Sequence, residues 1–179
     1  MSTARPVDAG LLVRDRRPID LPVLLALLQR THEQEGYPVR AAAVAADWLA
    51  APGELAGAVA VHVGRVVGHV ALHPGDDPAD ASALPLWRQA TGRGPEGLAV
   101  VSRLVTDRST PGTGTLLLRH AVERAASLGR TAVLLVDPVS PARGFYRRRG
   151  WREVGTAVQR WGHRTVDAVL MVPGADPAG

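Results

Sequence analysis

Cysteine is missing from the chain, which removes disulfides, thiolate nucleophiles and cysteine-ligated metals from consideration. A cysteine-free chain also fits a reducing compartment, so a cytoplasmic protein is expected. Lysine is missing too, and all 21 basic residues are arginine. That excludes the nucleotide-triphosphatase phosphate loop, which needs Gly-Lys-Ser/Thr. Aromatic residues number seven, so Val, Leu and Ala must do most of the packing. No run of 18 apolar residues occurs and the N-terminus has no apolar signal core, so neither a membrane span nor a secretion signal is expected.

What is present points to one compact domain: 179 residues, with 46% apolar residues to fill its core. The formal charge of +4 is carried by guanidinium groups, whose fork matches phosphate oxygens. A polyanionic small molecule suits that inventory. Nucleic acid suits it less, because the arginines are interspersed with acids and only Arg147-Arg148-Arg149 forms a run.

Apolar periodicity and turn residues predict the element order. Leu11 to Arg14 reads as a first strand. Asp20 is expected to cap a helix carrying Pro22 in its first turn and Leu24, Leu25, Leu27 and Leu28 behind it. The segment His32 to Pro38 reads as a polar connection, and Val39 to Leu49 as a second helix ended by Pro52-Gly53. Ala56 to Val63 and Val66 to Leu72 read as a hairpin turning at Gly64-Arg65. Pro74 to Pro95 is a long insertion with a short helix over Ser82 to Gln89, and a loop of that length is usually functional or mobile. Leu98 to Thr106 is a strand, and Thr113 to Leu128 a helix with Leu117, Ala121, Ala125 and Leu128 on one face. Thr131 to Val136 is a continuously apolar strand. Pro141 to Arg149 is a short helix, and Trp151 to Trp161 and Thr165 to Val172 form a last hairpin turning at Gly162-His163. The order βααββ, insertion, βαβαββ makes a mixed sheet with helices on its faces, with strands 98–106 and 131–136 parallel across a crossover.

The stretch Arg108-Ser-Thr-Pro-Gly-Thr-Gly-Thr115 runs from that fourth strand straight into a helix. It is either a reversing turn or an anion cradle. A helix start presents unpaired N–H groups and the positive end of the dipole. Gly112 and Gly114 have no side chain to keep an anion away, and Thr110, Thr113 and Thr115 can add hydroxyl donors. A dinucleotide fingerprint is excluded, since Leu117 stands where its third glycine belongs.

Together, Thr106 to Glu123, Val133 to Asp137 and Ala142-Arg-Gly-Phe-Tyr-Arg-Arg-Arg-Gly-Trp-Arg-Glu-Val-Gly155 resemble the GCN5-related N-acetyltransferases, the GNAT superfamily. The resemblance spans about residues 11 to 172 in element order and is specific over about 98 to 155. It implies an α/β (α+β) GNAT fold: a central mixed, mostly antiparallel seven-stranded sheet with about four helices. It also implies acetyl-CoA as the acetyl donor, with the pyrophosphate against the loop Pro111, Gly112, Thr113, Gly114 and Thr115, whose residues from Gly112 onward supply the backbone N–H groups. Ser109 stands where the family pattern Arg/Gln-x-x-Gly-x-Gly/Ala has Arg or Gln, and Val139-Ser140 where an Asn often follows the next strand.

The implied activity is direct transfer of an acetyl group to a primary amine of a small molecule or of a peptide or protein. In such enzymes N–H groups of a bulged fourth strand hold the thioester carbonyl, which here puts the donors near Leu104 and Val105, with Thr106 a further coenzyme contact. The pantetheine arm would lie between this strand and Thr131 to Val136. Tyr146 matches the position of the acid that protonates the coenzyme A thiolate; the alternative is a tyrosine that only packs under its helix. Ser140 and Phe145 are further coenzyme contacts by the same resemblance, and Arg143, Arg147 and Arg148 either face phosphates or form a solvated face. Glu33 and Tyr37, with Glu35 and Trp48 nearby, are candidates for the acceptor pocket. Glu96 reads as a loop charge rather than a base, and no general base is visible. His69 and His73 share a strand face, but no third ligand accompanies them, so no metal is expected. The partners are therefore acetyl-CoA and an amine, with no membrane, and the chain is a monomer or a homodimer. The rivals are a non-catalytic acyl-CoA sensor with this fold and, from another class, a nucleic-acid-binding domain.

Overall fold

The computed structural model describes residues 10–38 and 45–174. They contain seven strands and five helices: β1 (Leu11–Asp15), α1 (Leu21–Glu35), α2 (Ala46–Leu49), β2 (Ala56–His62), β3 (Arg65–Pro74), α3 (Leu84–Thr91), β4 (Leu98–Thr106), α4 (Thr113–Ser127), β5 (Thr131–Val136), α5 (Pro141–Arg147), β6 (Trp151–Trp161) and β7 (Arg164–Pro173). The strand order is β1-β2-β3-β4-β5-β7-β6. The β4–β5 pair is parallel, while β1–β2, β2–β3, β5–β7 and β6–β7 are antiparallel. The mixed, mostly antiparallel sheet read from the sequence is thus the observed one. No helix among the described residues is long and apolar enough to cross a membrane.

The chain folds into two compact units. The first takes residues up to Leu72 together with Val101–Arg124. Its core gathers Leu24, Leu27 and Leu28 of α1, Leu49 of α2, Val59 of β2 and Val105 of β4. The second takes His73–Val100 and the chain from Ala125 onward. Its core gathers Ala83, Trp87, Leu98, Val100, Val133, Ala157, Leu170 and Val172.

Several boundaries differ from the sequence expectation, each for a physical reason. Asp20 makes no side-chain cap on α1. Its carboxylate instead takes both guanidinium nitrogens of Arg14, at 2.7 and 2.8 Å, and the Arg17 N–H at 2.7 Å. A charged bidentate donor outcompetes a single amide. Of the segment His32 to Pro38, read as a connection, the part to Glu35 belongs to α1, which stops at Gly36 in the left-handed conformation. The proposed helix 39–49 lies partly outside the described residues, and within them only Ala46–Leu49 is helical. The hairpin turns at Val63-Gly64, one residue early, with φ of 47° and 74°. Two left-handed residues give the turn whose twist matches the strands, which a β-branched residue does not advertise.

The insertion Pro74 to Pro95 is structural. Its helix α3 buries Trp87 completely in the second unit's core, and Ser82 donates to Val158 O at 2.8 Å. On α4, Leu117, Ala121 and Ala125 are buried as expected, whereas Leu128 falls after the helix end and is 40% exposed.

Candidate active site

In the first unit, β4 leaves the regular strand conformation at Arg103, whose φ is +53°. A non-glycine residue in the left-handed region within a strand is held there by its surroundings and bends the chain. Leu104 and Thr106 that follow are half-buried, and Val105 is buried. The parallel pairing of β4 with β5 runs from Leu98↔Thr131 to Val100↔Val133 and stops there. The strand therefore bulges at Arg103, just before Leu104 and Val105.

The glycine loop follows. Arg108 (φ +59°) and Gly112 (φ +88°) both turn left-handed, which fits glycine at 112 and strains any side chain there. Asp107 Oδ1 takes the N–H and hydroxyl of Ser109, at 2.9 and 2.7 Å, and folds the loop's start. Leu116 N–H donates to Gly112 O at 3.0 Å, so Gly114 lies in the first helical turn, where amides precede the intrahelical ladder. Two of the threonine hydroxyls are engaged within the protein. Thr113, 2% exposed, donates to Thr110 O at 2.7 Å, and buried Thr110 sits 3.3 Å from His62 Nδ1. Arg108 is not held over the loop: its guanidinium donates to Glu35 at 2.7 Å.

Tyr37 packs edge-on to Trp48, centroids 6.1 Å apart, and the Arg103 guanidinium lies 4.8 Å from the Trp48 ring. Burial pushes the Tyr37 phenol up to about 12, with Arg103 pulling the other way, so it stays protonated near neutrality. Glu33 is exposed on α1 and takes the amide of Gln29 at 3.1 Å; the structure does not bring it to this aromatic cluster.

In the second unit, Ser140 caps α5 by accepting from Ala142 N–H at 3.1 Å. Tyr146 is 8% exposed, with its ring 5.3 Å from Phe145 and 6.1 Å from Trp151. Phe145 is covered by Arg149, 3.6 Å from its centroid. Arg143 forms a bidentate pair with Glu153, both contacts at 2.8 Å, which holds the Glu153 carboxyl below its ordinary range. Arg147 and Arg148 are exposed, as is Glu96 before β4.

Residues 21–151 match the model of the acetyltransferase (GNAT) family. The chain belongs to that family. No curated protein matches it. Among solved structures it is similar to a ribosomal-protein-alanine N-acetyltransferase from Brucella melitensis, at 23% identity and a TM-score of 0.66, over 89% of this chain and 97% of that one. It is also similar to a GNAT family acetyltransferase from Brucella melitensis in complex with acetyl-CoA (20%, TM-score 0.59, 94% and 91%). A third is aminoglycoside 6'-acetyltransferase type Ii (18%, TM-score 0.62, 94% and 99%). At these identities the likeness is one of fold.

Sequence reasoning missed several residues of this GNAT chain that shape the site. A Cβ on Gly68 of β3 would come within 2.9–3.0 Å of Leu117, Thr113 and Val105, so this glycine lets the start of α4 sit against the strands. Arg16 and Glu54 form a largely covered ion pair beside His69. No local pattern marks them, because their partners are distant in sequence.

Proposed function

We propose that the chain transfers the acetyl group of acetyl-CoA directly to a primary amine of a small molecule or of a peptide or protein. The observation that carries this is the succession, within one unit, of a left-handed bulge in β4 and a glycine loop opening α4. Acetyl-CoA supplies an activated acetyl group as a thioester. The amides of Pro111-to-Thr115 loop residues other than the proline hold the pyrophosphate at the helix N-terminus. The N–H groups of Leu104 and Val105 receive the thioester oxygen and stabilise the charge it gains when the neutral amine attacks the carbonyl carbon. The C–S bond then breaks, Tyr146 gives a proton to the leaving thiolate, and the proton shed by the attacking nitrogen passes to solvent, which restores the phenol. Ser140, through its cap on α5, and Phe145 set that helix, and Tyr37 lines the acceptor side.

Coenzyme A release from acetyl-CoA over a panel of small amines and N-terminal peptides tests the reading. Turnover with at least one amine is expected, with Tyr146→Phe lowering kcat by about 10- to 100-fold. Tight coenzyme A binding with no turnover on any amine would favour the sensor, a reading that Ser109 at the usual Arg/Gln position supports. Salt-dependent DNA binding without coenzyme A binding would favour the nucleic-acid domain. Gly114→Val should weaken coenzyme A binding at least tenfold, roughly the cost of one blocked close contact; unchanged affinity in a folded variant defeats the loop assignment.

A further inference from the structure

Behind the β4 bulge lies a chain of largely covered polar contacts. Glu54 pairs with Arg16, and these side chains are only 15% and 9% exposed. Arg16 Nη1 donates to Leu49 O at 2.6 Å and lies 3.0 Å from Nε2 of His69, which is fully buried. His69 Nδ1 lies 3.0 Å from Arg103 O. Room for the guanidinium comes from Gly57, where a Cβ would stand 2.4 Å from Arg16 Nη1.

The proton positions follow from the partners. A guanidinium only donates, so His69 Nε2 must accept and carries no proton. A carbonyl only accepts, so Nδ1 must carry the proton and donate to Arg103 O. One neutral tautomer satisfies both contacts, and an imidazolium would turn an N–H against the guanidinium.

Arg103 O and the Leu104 N–H belong to the same planar trans peptide and point in opposite directions. Fixing the carbonyl therefore fixes the amide, and a donated hydrogen bond to the carbonyl strengthens its N–H as a donor. From this we propose that His69, held as the Nδ1–H tautomer by Arg16 and Glu54, is a positioning residue that aims the Leu104 N–H. Its catalytic consequence rests on the acetyltransfer reading; its geometric part does not.

The test has two arms on the full chain. NMR of the unliganded protein with 15N-labelled histidine reads the tautomer directly, with His69 assigned by its loss in His69→Asn. A protonated Nδ1 and a bare Nε2 are expected at neutral pH; an Nε2–H tautomer or an imidazolium overturns the proposal. In the second arm, His69→Asn keeps an N–H near the Nδ1 position, whereas His69→Gln moves the amide away from Arg103 O. With the best amine of the panel, His69→Gln should lose about 10- to 100-fold in kcat, the scale of a misplaced catalytic group. Coenzyme A affinity should change less than about threefold in both variants, since the glycine loop is untouched, and His69→Asn should keep kcat within about the same factor. Equal kcat in His69→Gln and wild type, or equal losses in both variants, sinks the positioning role. If the wild type turns over no amine, the acetyltransfer reading fails by itself. The tautomer and the hydrogen-exchange rate of the Leu104 amide in the two variants then decide the geometric part: faster exchange in His69→Gln than in His69→Asn supports it, and equal rates overturn it.

Discussion

The two units differ in the best-covered ion pair each contains. In the unit built on β1, β2 and α1, an ion pair and a histidine sit inside, with Arg16 and Glu54 9% and 15% exposed and His69 wholly buried. In the unit built on α3, β5 and β7, the ion pairs Arg143–Glu153 and Arg164–Asp137 keep their arginines 35% and 46% exposed, and the polar side chains buried are those of His73 and Gln159. Burying an ion pair repays its desolvation only when every donor and acceptor is met, and an apolar replacement is often as stable. The first unit's network is therefore a poor way to gain stability and a good way to fix one backbone geometry. The second unit packs Trp87 of α3 and Leu170 of β7 into one hydrophobic cluster.

The strongest way to break this contrast is to remove one member of the network. Arg16→Met leaves the Glu54 carboxylate and His69 Nε2 without their charged donor and should cost about 3–5 kcal/mol in urea unfolding. The double variant Arg16→Met/Glu54→Leu should recover most of that loss, because no buried charge is then stranded. If the single variant costs under about 1 kcal/mol, the pair is effectively solvated and the contrast between the units is wrong.

The network also shows what a sequence can and cannot display. The glycine loop, α4 and the Phe145-Tyr146 helix were legible because their signals are local: two glycines before an apolar helix, then an aromatic pair before Gly150. The mixed sheet was legible because strand and helix periodicities alternate. Arg16, Glu54 and His69 were not, since their contacts span 38, 53 and 34 residues and an isolated arginine looks like surface. The bulge followed from the resemblance but not from its own residues: Arg103 is not a residue that favours a left-handed conformation. Val63 hid the hairpin turn for the same reason. Asp20 looked like a cap because Pro22 follows it, yet Arg14, six residues earlier, claims its carboxylate.

That last contact allows a controlled form of the comparison. Arg14–Asp20 and Arg143–Glu153 share one chemistry, a guanidinium fork on a carboxylate, with contacts of 2.7 and 2.8 Å in one and 2.8 Å twice in the other. They differ in burial: the Asp20 side chain is 5% exposed and the Glu153 side chain 31%. In each, the arginine holds the carboxyl below its ordinary range. A carboxyl lowered in the folded state adds stability that is complete above its unfolded value, 3.8 for Asp20, and that fades as pH falls through the folded value. Asp20→Asn should therefore cost about 1–3 kcal/mol at pH 7, the price of an unmet buried partner, and the cost should shrink on acidification below about pH 4. Glu153→Gln removes the same kind of contact where water replaces it, so its effect on Tm should be the smaller of the two at every pH. Equal Tm losses at pH 7 would mean that geometry, not burial, sets the worth of a carboxylate in this chain, and the reason for reading the buried network as a positioning device would go with it.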